Sequence, residues 1–235
     1  MKLNDAVYLF NDDRVVISIL KEIMQMSQKT SVIVFDLGNV LLPFDYEEVI
    51  RKFEHVERGL GKTFADYYKS NYEVHRKFER GEYTTEEFTE IMLDVLHHKI
   101  DKDKFYEIYS KIFTVNERLV ATLPVLKKKY QLVLMSNTNA IHEKYGWKDY
   151  GFLRHFDRLV LSHEVGAVKP EPEIYKTVEA YTRVNPQEHF YVDDIFEYIQ
   201  AARQLGWNAV QFVDNEKLFD EFRNRGIVFE EHRQD

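Results

Sequence analysis

The 235-residue sequence predicts a Rossmann-like three-layer α/β/α sandwich on a parallel sheet, with an inserted all-helical unit. Three observations predict it. Five short apolar runs have the length and β-branched content of buried strands. Helical segments separate the later ones, and a long stretch after the first run holds helices and no convincing strand. Strands alternating with helices pair in parallel through right-handed crossovers, with helices covering the sheet.

The expected strands are Val32–Phe35, then 132–135, 159–161, 190–192 and 210–213. Helical spacing runs over Pro172–Thr182 and over 195–205, where Ile195, Ile199, Ala202 and Leu205 form one stripe closed by Gly206. A further helix is expected over 116–129, but Pro124 inside it must kink or shorten it. Within 46–115, Thr84-Thr85-Glu86-Glu87 supplies a capping box. The aromatics there (Phe64, Tyr67, Tyr68, Tyr72, Phe78, Phe88, Phe105, Tyr106, Tyr109) are expected first as the core of a helical bundle and second as pocket lining. The expected division is an α/β core over 31–45 and 116–235, a helical cap over 46–115, and an amphipathic helical extension over 1–30.

Composition narrows the chemistry. There is no cysteine, which excludes disulfides, zinc–thiolate sites and thiol catalysis. The net charge is -8 with no long basic run, so no nucleic-acid partner is expected, and an anionic substrate needs a locally positive site or a metal. No apolar stretch reaches the roughly 18 residues of a membrane span. The expectation is a cytoplasmic monomer or homodimer acting on a small molecule, with no membrane partner.

Polar residues follow the apolar runs at the carboxyl ends of the expected strands, where open α/β sheets place their ligands. Asp36 follows the first, ahead of the turn Leu37-Gly38-Asn39. Ser136-Asn137-Thr138 follows the second, and Asp193-Asp194 follows the fourth; Lys169 lies in the loop AVKPEPEIY. A carboxylate beside outward-facing amides can attack an electrophile, and a serine hydroxyl with the following amides can cradle a phosphate. A lysine opposes developing negative charge, and clustered carboxylates are hard ligands for magnesium. Each piece alone has a structural reading: turn residue, helix cap, solvated lysine, dipole partner. Their conjunction points to one site. The histidines show no HExxH pairing, and His97-His98 reads as a solvated face.

These residues resemble the haloacid dehalogenase superfamily, in the group with a helical cap inserted after the first strand. FDLGNVL, VLMSNT, GAVKPEPEIY and FYVDDIFEYIQAARQLGW are similar to its four motifs, over residues 31–214. Within it, the Asp-Leu-Gly-Asn turn is similar to phosphatases acting on α-D-glucose 1-phosphate and, more distantly, to the phosphatase domain of soluble epoxide hydrolases. The resemblance implies that Asp36 attacks phosphorus to form an aspartyl-phosphate, with Lys169 as its catalytic partner. It implies that Ser136, Asn137 and Lys169 hold the phosphoryl oxygens. Magnesium would be bound by Asp36, the carbonyl of Gly38 and Asp194, with Asp193 helping through water or as a second ligand.

Gly38 departs from the pattern. Phosphatases of the superfamily usually carry a second aspartate there as general acid and base, and losing such a group costs roughly 10²–10⁴-fold in rate. Either the leaving group needs little protonation, as an anomeric sugar oxygen does, or Asp45 or a cap residue delivers the proton. The expected function is a magnesium-dependent phosphatase acting on a small phosphorylated metabolite, such as a sugar phosphate. The alternatives are a 2-haloacid dehalogenase-type hydrolase, which needs no metal and lacks the acidic pair, and a non-catalytic phospho-ligand binder.

Overall fold

The computed structural model describes residues 29–230; the helix expected over 1–30 falls outside the described residues but for its last two positions. Five strands form one parallel sheet: β1 (Val32–Phe35), β2 (Gln131–Ser136), β3 (Arg158–Leu161), β4 (His189–Asp193) and β5 (Asn208–Gln211). Their spatial order is β3-β2-β1-β4-β5, so β1 is central, between β2 and β4.

Strict alternation along the strands builds two cores. Ile33, Phe35, Leu132, Leu134, Phe190 and Val192 face one side, against α6 (Glu117–Val120), α7 (Leu123–Leu126) and α11 (Asn215–Asn224). Val32, Val34, Val133, Met135 and Tyr191 face the other, against α9 (Pro172–Thr182) and α10 (Phe196–Gln204). Both faces are covered, so β1 and β4 are buried along their whole length, and residues 32–35 and 190–192 read as unbroken apolar runs.

Residues between β1 and β2 supply five helices before α6: α1 (Tyr46–Val56), α2 (Leu60–Ser70), α3 (Tyr72–Glu79), α4 (Thr85–Val95) and α5 (Lys102–Ser110). They close over an apolar cluster of their own, including Phe53, Phe64, Phe78, Phe88, Phe105 and Tyr109. Phe78 and Phe88 stack at 4.0 Å, and α4 starts on the expected capping box between Thr84 and Glu87. Gly81 ends the turn after α3 at φ 71, where a side chain would collide with the His163 carbonyl of α8 (Ser162–Val165). That close approach seats the end of α3 on the sheet domain.

Three sequence expectations change. The fifth strand starts two residues early, because Asn208 pairs with Phe190 of β4; Val213, expected inside it, is exposed just before the Asp214 cap of α11. The single helix over 116–129 is two one-turn helices, since Pro124 lacks the N–H that a continuous helix would use there. His97 and His98 are not on a helix face; both take left-handed backbone just past α4, exposed to solvent.

Candidate active site

Asp36 continues the β1 ladder by one bond, its N–H donating to the Val192 carbonyl at 2.9 Å. The chain then reverses: the N–H groups of Leu41 and Leu42 both reach the Leu37 carbonyl, and Asn39 takes φ 53, which asparagine tolerates better than most residues. The turn points Asp36 across the sheet end toward the tips of β2 and β4.

Lys169 comes from the loop between α8 and α9. Its backbone is clasped by one side chain: the Lys169 N–H donates to Asn137 Oδ1 at 2.7 Å, and Asn137 Nδ2 donates to the Lys169 carbonyl at 3.1 Å. The ammonium is 1% exposed and uses all three protons. It lies 2.7 Å from Asp36 Oδ1 and 2.6 Å from Asp193 Oδ2, and donates to the Met135 carbonyl at 3.3 Å. The Tyr198 ring lies 5.2 Å away.

Asp193 is fully buried. Besides Lys169, its Oδ2 accepts the Tyr191 hydroxyl, and its Oδ1 accepts the Ile195 N–H at 2.8 Å. Asp194 is half-buried, and its Oδ2 accepts Asn39 Nδ2 at 3.1 Å. Asp36 takes two bonds on Oδ1, from Lys169 and from the Leu37 N–H at 2.7 Å, and none on Oδ2 among the described residues.

One ammonium therefore faces three carboxylates. Burial alone would lower the Lys169 ammonium, but Asp193 and Asp36 outweigh it and hold its pKa above the ordinary value. Asp36 is pushed up to about 8: burial raises it most, Lys169 opposes, and the nearby Asp193 and Asp194 raise it further. Asp194 is raised too, by burial and by Asp193. Carboxylate oxygens of Asp36, Asp193 and Asp194 lie within 4.8 Å of one another. This hard-oxygen donor set, with negative charge that Lys169 leaves unbalanced, fits magnesium.

A cavity of about 160 Å³ opens beside these groups, lined by Asp36, Gly38, Ser136, Lys169 and Asp194 from the sheet domain. The helices line it with Tyr46, Tyr68, Tyr72, His75, Arg76 and Glu79. The sheet-side residues expected from the sequence thus line one space, with one exception: Asp193 is buried behind Lys169, and both of its oxygens are taken by Lys169, Tyr191 and the Ile195 N–H. Of the expected aromatics, Tyr68 and Tyr72 line it, while Phe64, Phe78, Phe88, Phe105, Tyr106 and Tyr109 are buried among the helices.

Asp45 is no part of this space. It caps α1, accepting the Glu47 N–H at 2.9 Å, and pairs with Arg51 while half exposed, so it is no proton carrier for the cavity. The Asn137 amide is spent on the Lys169 loop, which leaves its backbone N–H as what it can offer a ligand. Gly38 has a local cause: a Cβ there would sit 3.0 Å from the Phe44 ring. Sequence reasoning missed Asn39 as the holder of Asp194, and it missed the His75, Arg76 and Glu79 cluster of α3. Arg76-x-x-Glu79 spacing was a readable signal for an ion pair, though not for a cavity wall.

A sequence profile of the haloacid dehalogenase-like hydrolase family matches residues 30–206. The chain is 26% identical over 186 residues to D-ribitol-5-phosphate phosphatase of Bacteroides thetaiotaomicron, a match covering 76% of this chain and 90% of that one. A solved haloacid dehalogenase family enzyme of the same bacterium, in complex with magnesium and inorganic phosphate, superposes with TM-score 0.69 at 25% identity, covering 81% of this chain and 99% of that one. The L-2-haloacid dehalogenase of Xanthobacter autotrophicus shares the fold alone, at 18% identity and TM-score 0.56, with 85% and 84% coverage.

Proposed function

The chain belongs to the haloacid dehalogenase-like hydrolase family and is a phosphatase-like hydrolase; we propose that it is a magnesium-dependent phosphatase of small phosphorylated metabolites, sugar or polyol phosphates first among them. The observation that carries the reading is the buried Lys169 ammonium between Asp36 and Asp193, with Asp194 completing the carboxylate cluster.

In this reading Asp36 Oδ2, which has no protein partner among the described residues, attacks phosphorus. The bond from phosphorus to the substrate oxygen breaks with its electron pair going to that oxygen, leaving an aspartyl-phosphate and an alkoxide that takes its proton from water to become the alcohol. Water then attacks the phosphorus, releasing phosphate and restoring Asp36. Lys169 neutralises charge on the phosphoryl oxygens, held in place from one side by Asp193 and from the other by Asn137 on its backbone. Ser136 offers its hydroxyl, and Asn137 its backbone N–H. Asp36, Asp194 and the Gly38 carbonyl would hold magnesium, with Asp193 behind them; when bound, the ion supplies charge neutralisation to the phosphoryl group. Residues 46–115 act as the cap that closes the cavity and selects the substrate.

Gly38 brings no proton, which favours leaving oxygens of low basicity. The dehalogenase alternative is disfavoured by the carboxylates at 193 and 194, which metal-free attack on carbon would not call for. The test is phosphate release from a panel of sugar and polyol phosphates with magnesium, by the wild type and by Asp36→Asn. The wild type should turn over and the variant should lose roughly 10⁴-fold or more. Activity that persists in the variant, or hydrolysis of a 2-haloacid in excess chelator, would overturn the proposal.

A further inference from the structure

Glu79 is a buried carboxylate with no part in the mechanism above. It ends α3, is 8% exposed and lines the cavity. Oε1 lies 3.3 Å from His75 Nε2, and Oε2 accepts from Arg76 Nη1 at 3.1 Å. Each oxygen keeps a further lone pair. Both neighbours are themselves fixed: His75 Nδ1 pairs with the Tyr109 hydroxyl at 3.1 Å, and Arg76 Nη2 donates to the Lys169 carbonyl at 3.0 Å. Burial would raise the Glu79 carboxyl, but His75 and Arg76 outweigh it and hold it below the usual carboxylate range. Glu79 is thus an oriented, ionised, acceptor-only group.

Its surroundings say what it accepts. The other side chains that the helices bring to the cavity, beyond Glu79 and its two partners, are mostly aromatic, with Tyr46, Tyr68 and Tyr72 among them. An anion in such a wall repels a phosphate and gives nothing to an apolar chain, whereas a hydroxyl donor pairs with it. Building on the phosphatase reading, we propose that Glu79 is a specificity-determining residue that accepts a hydrogen bond from a hydroxyl of the leaving group, so that the substrate is a polyhydroxylated phosphate monoester. Arg76 and His75 are positioning residues for it.

The experiment compares kcat/KM for a pentitol 5-phosphate with that for pentyl phosphate, which has the same carbon chain and no hydroxyls, in the wild type and in Glu79→Gln. The glutamine is nearly isosteric but exchanges a charge-assisted acceptor for a neutral one. The ratio between the two substrates should fall about 5- to 15-fold. A Glu79 that only braces Arg76 and His75 would lower both substrates by one factor, and an unchanged ratio overturns the proposal. Should Glu79→Gln fail to fold, the wild type decides: it should prefer the pentitol phosphate by at least about 100-fold, and no preference overturns the proposal. Release of phosphate with an unchanged ratio removes only the assignment of Glu79. No release by the wild type from either substrate, or from p-nitrophenyl phosphate, removes the phosphatase reading itself.

Discussion

On the sheet side of the cavity three carboxylates share one ammonium; on the helical side one carboxylate lies between a guanidinium and an imidazole. The groups are alike and the balance is not. Asp36, Asp193 and Asp194 are under-neutralised, which raises Asp36 and Asp194 and leaves the cluster in want of a cation. Glu79 is satisfied by its own helix, and its pKa moves the other way. Unbalanced buried charge stores affinity for a metal ion and a phosphoryl group, whereas balanced buried charge holds a shape. The difference separates a wall that reacts from a wall that selects.

The largest break in this contrast should come from Lys169→Met. Removing the ammonium leaves Asp36 and Asp193 facing each other without a counter-charge, a loss of about 3–5 kcal/mol in urea unfolding together with loss of phosphate release. A variant as stable as the wild type would mean that the sheet-side wall is not held by its charges.

Gly38→Asp sharpens the same wall. The new Cβ meets the Phe44 ring at 3.0 Å, so the variant should lose about 1–3 kcal/mol, and trimming Phe44 to leucine makes room for it. With that room made, turnover of alkyl phosphates should rise more than that of sugar 1-phosphates. Equal gains on both would show that leaving-group acidity is not why glycine suffices.

The third expectation concerns pH. A carboxyl raised from 3.8 to about 8 on folding holds a proton that the unfolded chain has released, so metal-free protein should lose stability as pH climbs from about 4 to about 8. Magnesium favours the ionised cluster, so it should raise the unfolding midpoint more at pH 8 than at pH 5. Equal shifts at the two pH values would count against the carboxylate cluster as the magnesium site.

The smallest effect should be Arg80→Ala. Arg80 pairs with Glu171 at 2.8 Å on the rim between α3 and the Lys169 loop, partly exposed, where such a bridge contributes about 0–1 kcal/mol. A large loss of phosphate release at unchanged stability would show that this contact sets the loop and not merely the rim.

Much of the sheet-side wall was legible in the sequence. Asp36 and Asp193 border apolar runs buried on both faces, and Ser136 ends a third, so period and burial place all three at strand ends. Lys169 was legible as a loop lysine in a motif, and the helix over Pro172–Thr182 was read to the residue. The helical wall was hardly legible. Tyr72, Arg76 and Glu79 share α3 with Phe78, and nothing in their spacing says that Phe78 enters the bundle core while the other three face a cavity. Asp45 was misjudged for a related reason: proximity in sequence to Asp36 does not carry across the turn that sends it to cap α1.

From the sequence alone came the parallel α/β architecture, the first strand's terminal carboxylate and the family resemblance, because period, strand length and motif order are local properties of the chain. Tertiary structure alone decided which charges touch. Lys169 and Asp193 meet across 24 residues, and Arg76 reaches the Lys169 carbonyl across 93. Such contacts depend on the register of crossovers and on how the helices seat against the sheet, and these are set by the packing of the whole core rather than by any window of residues.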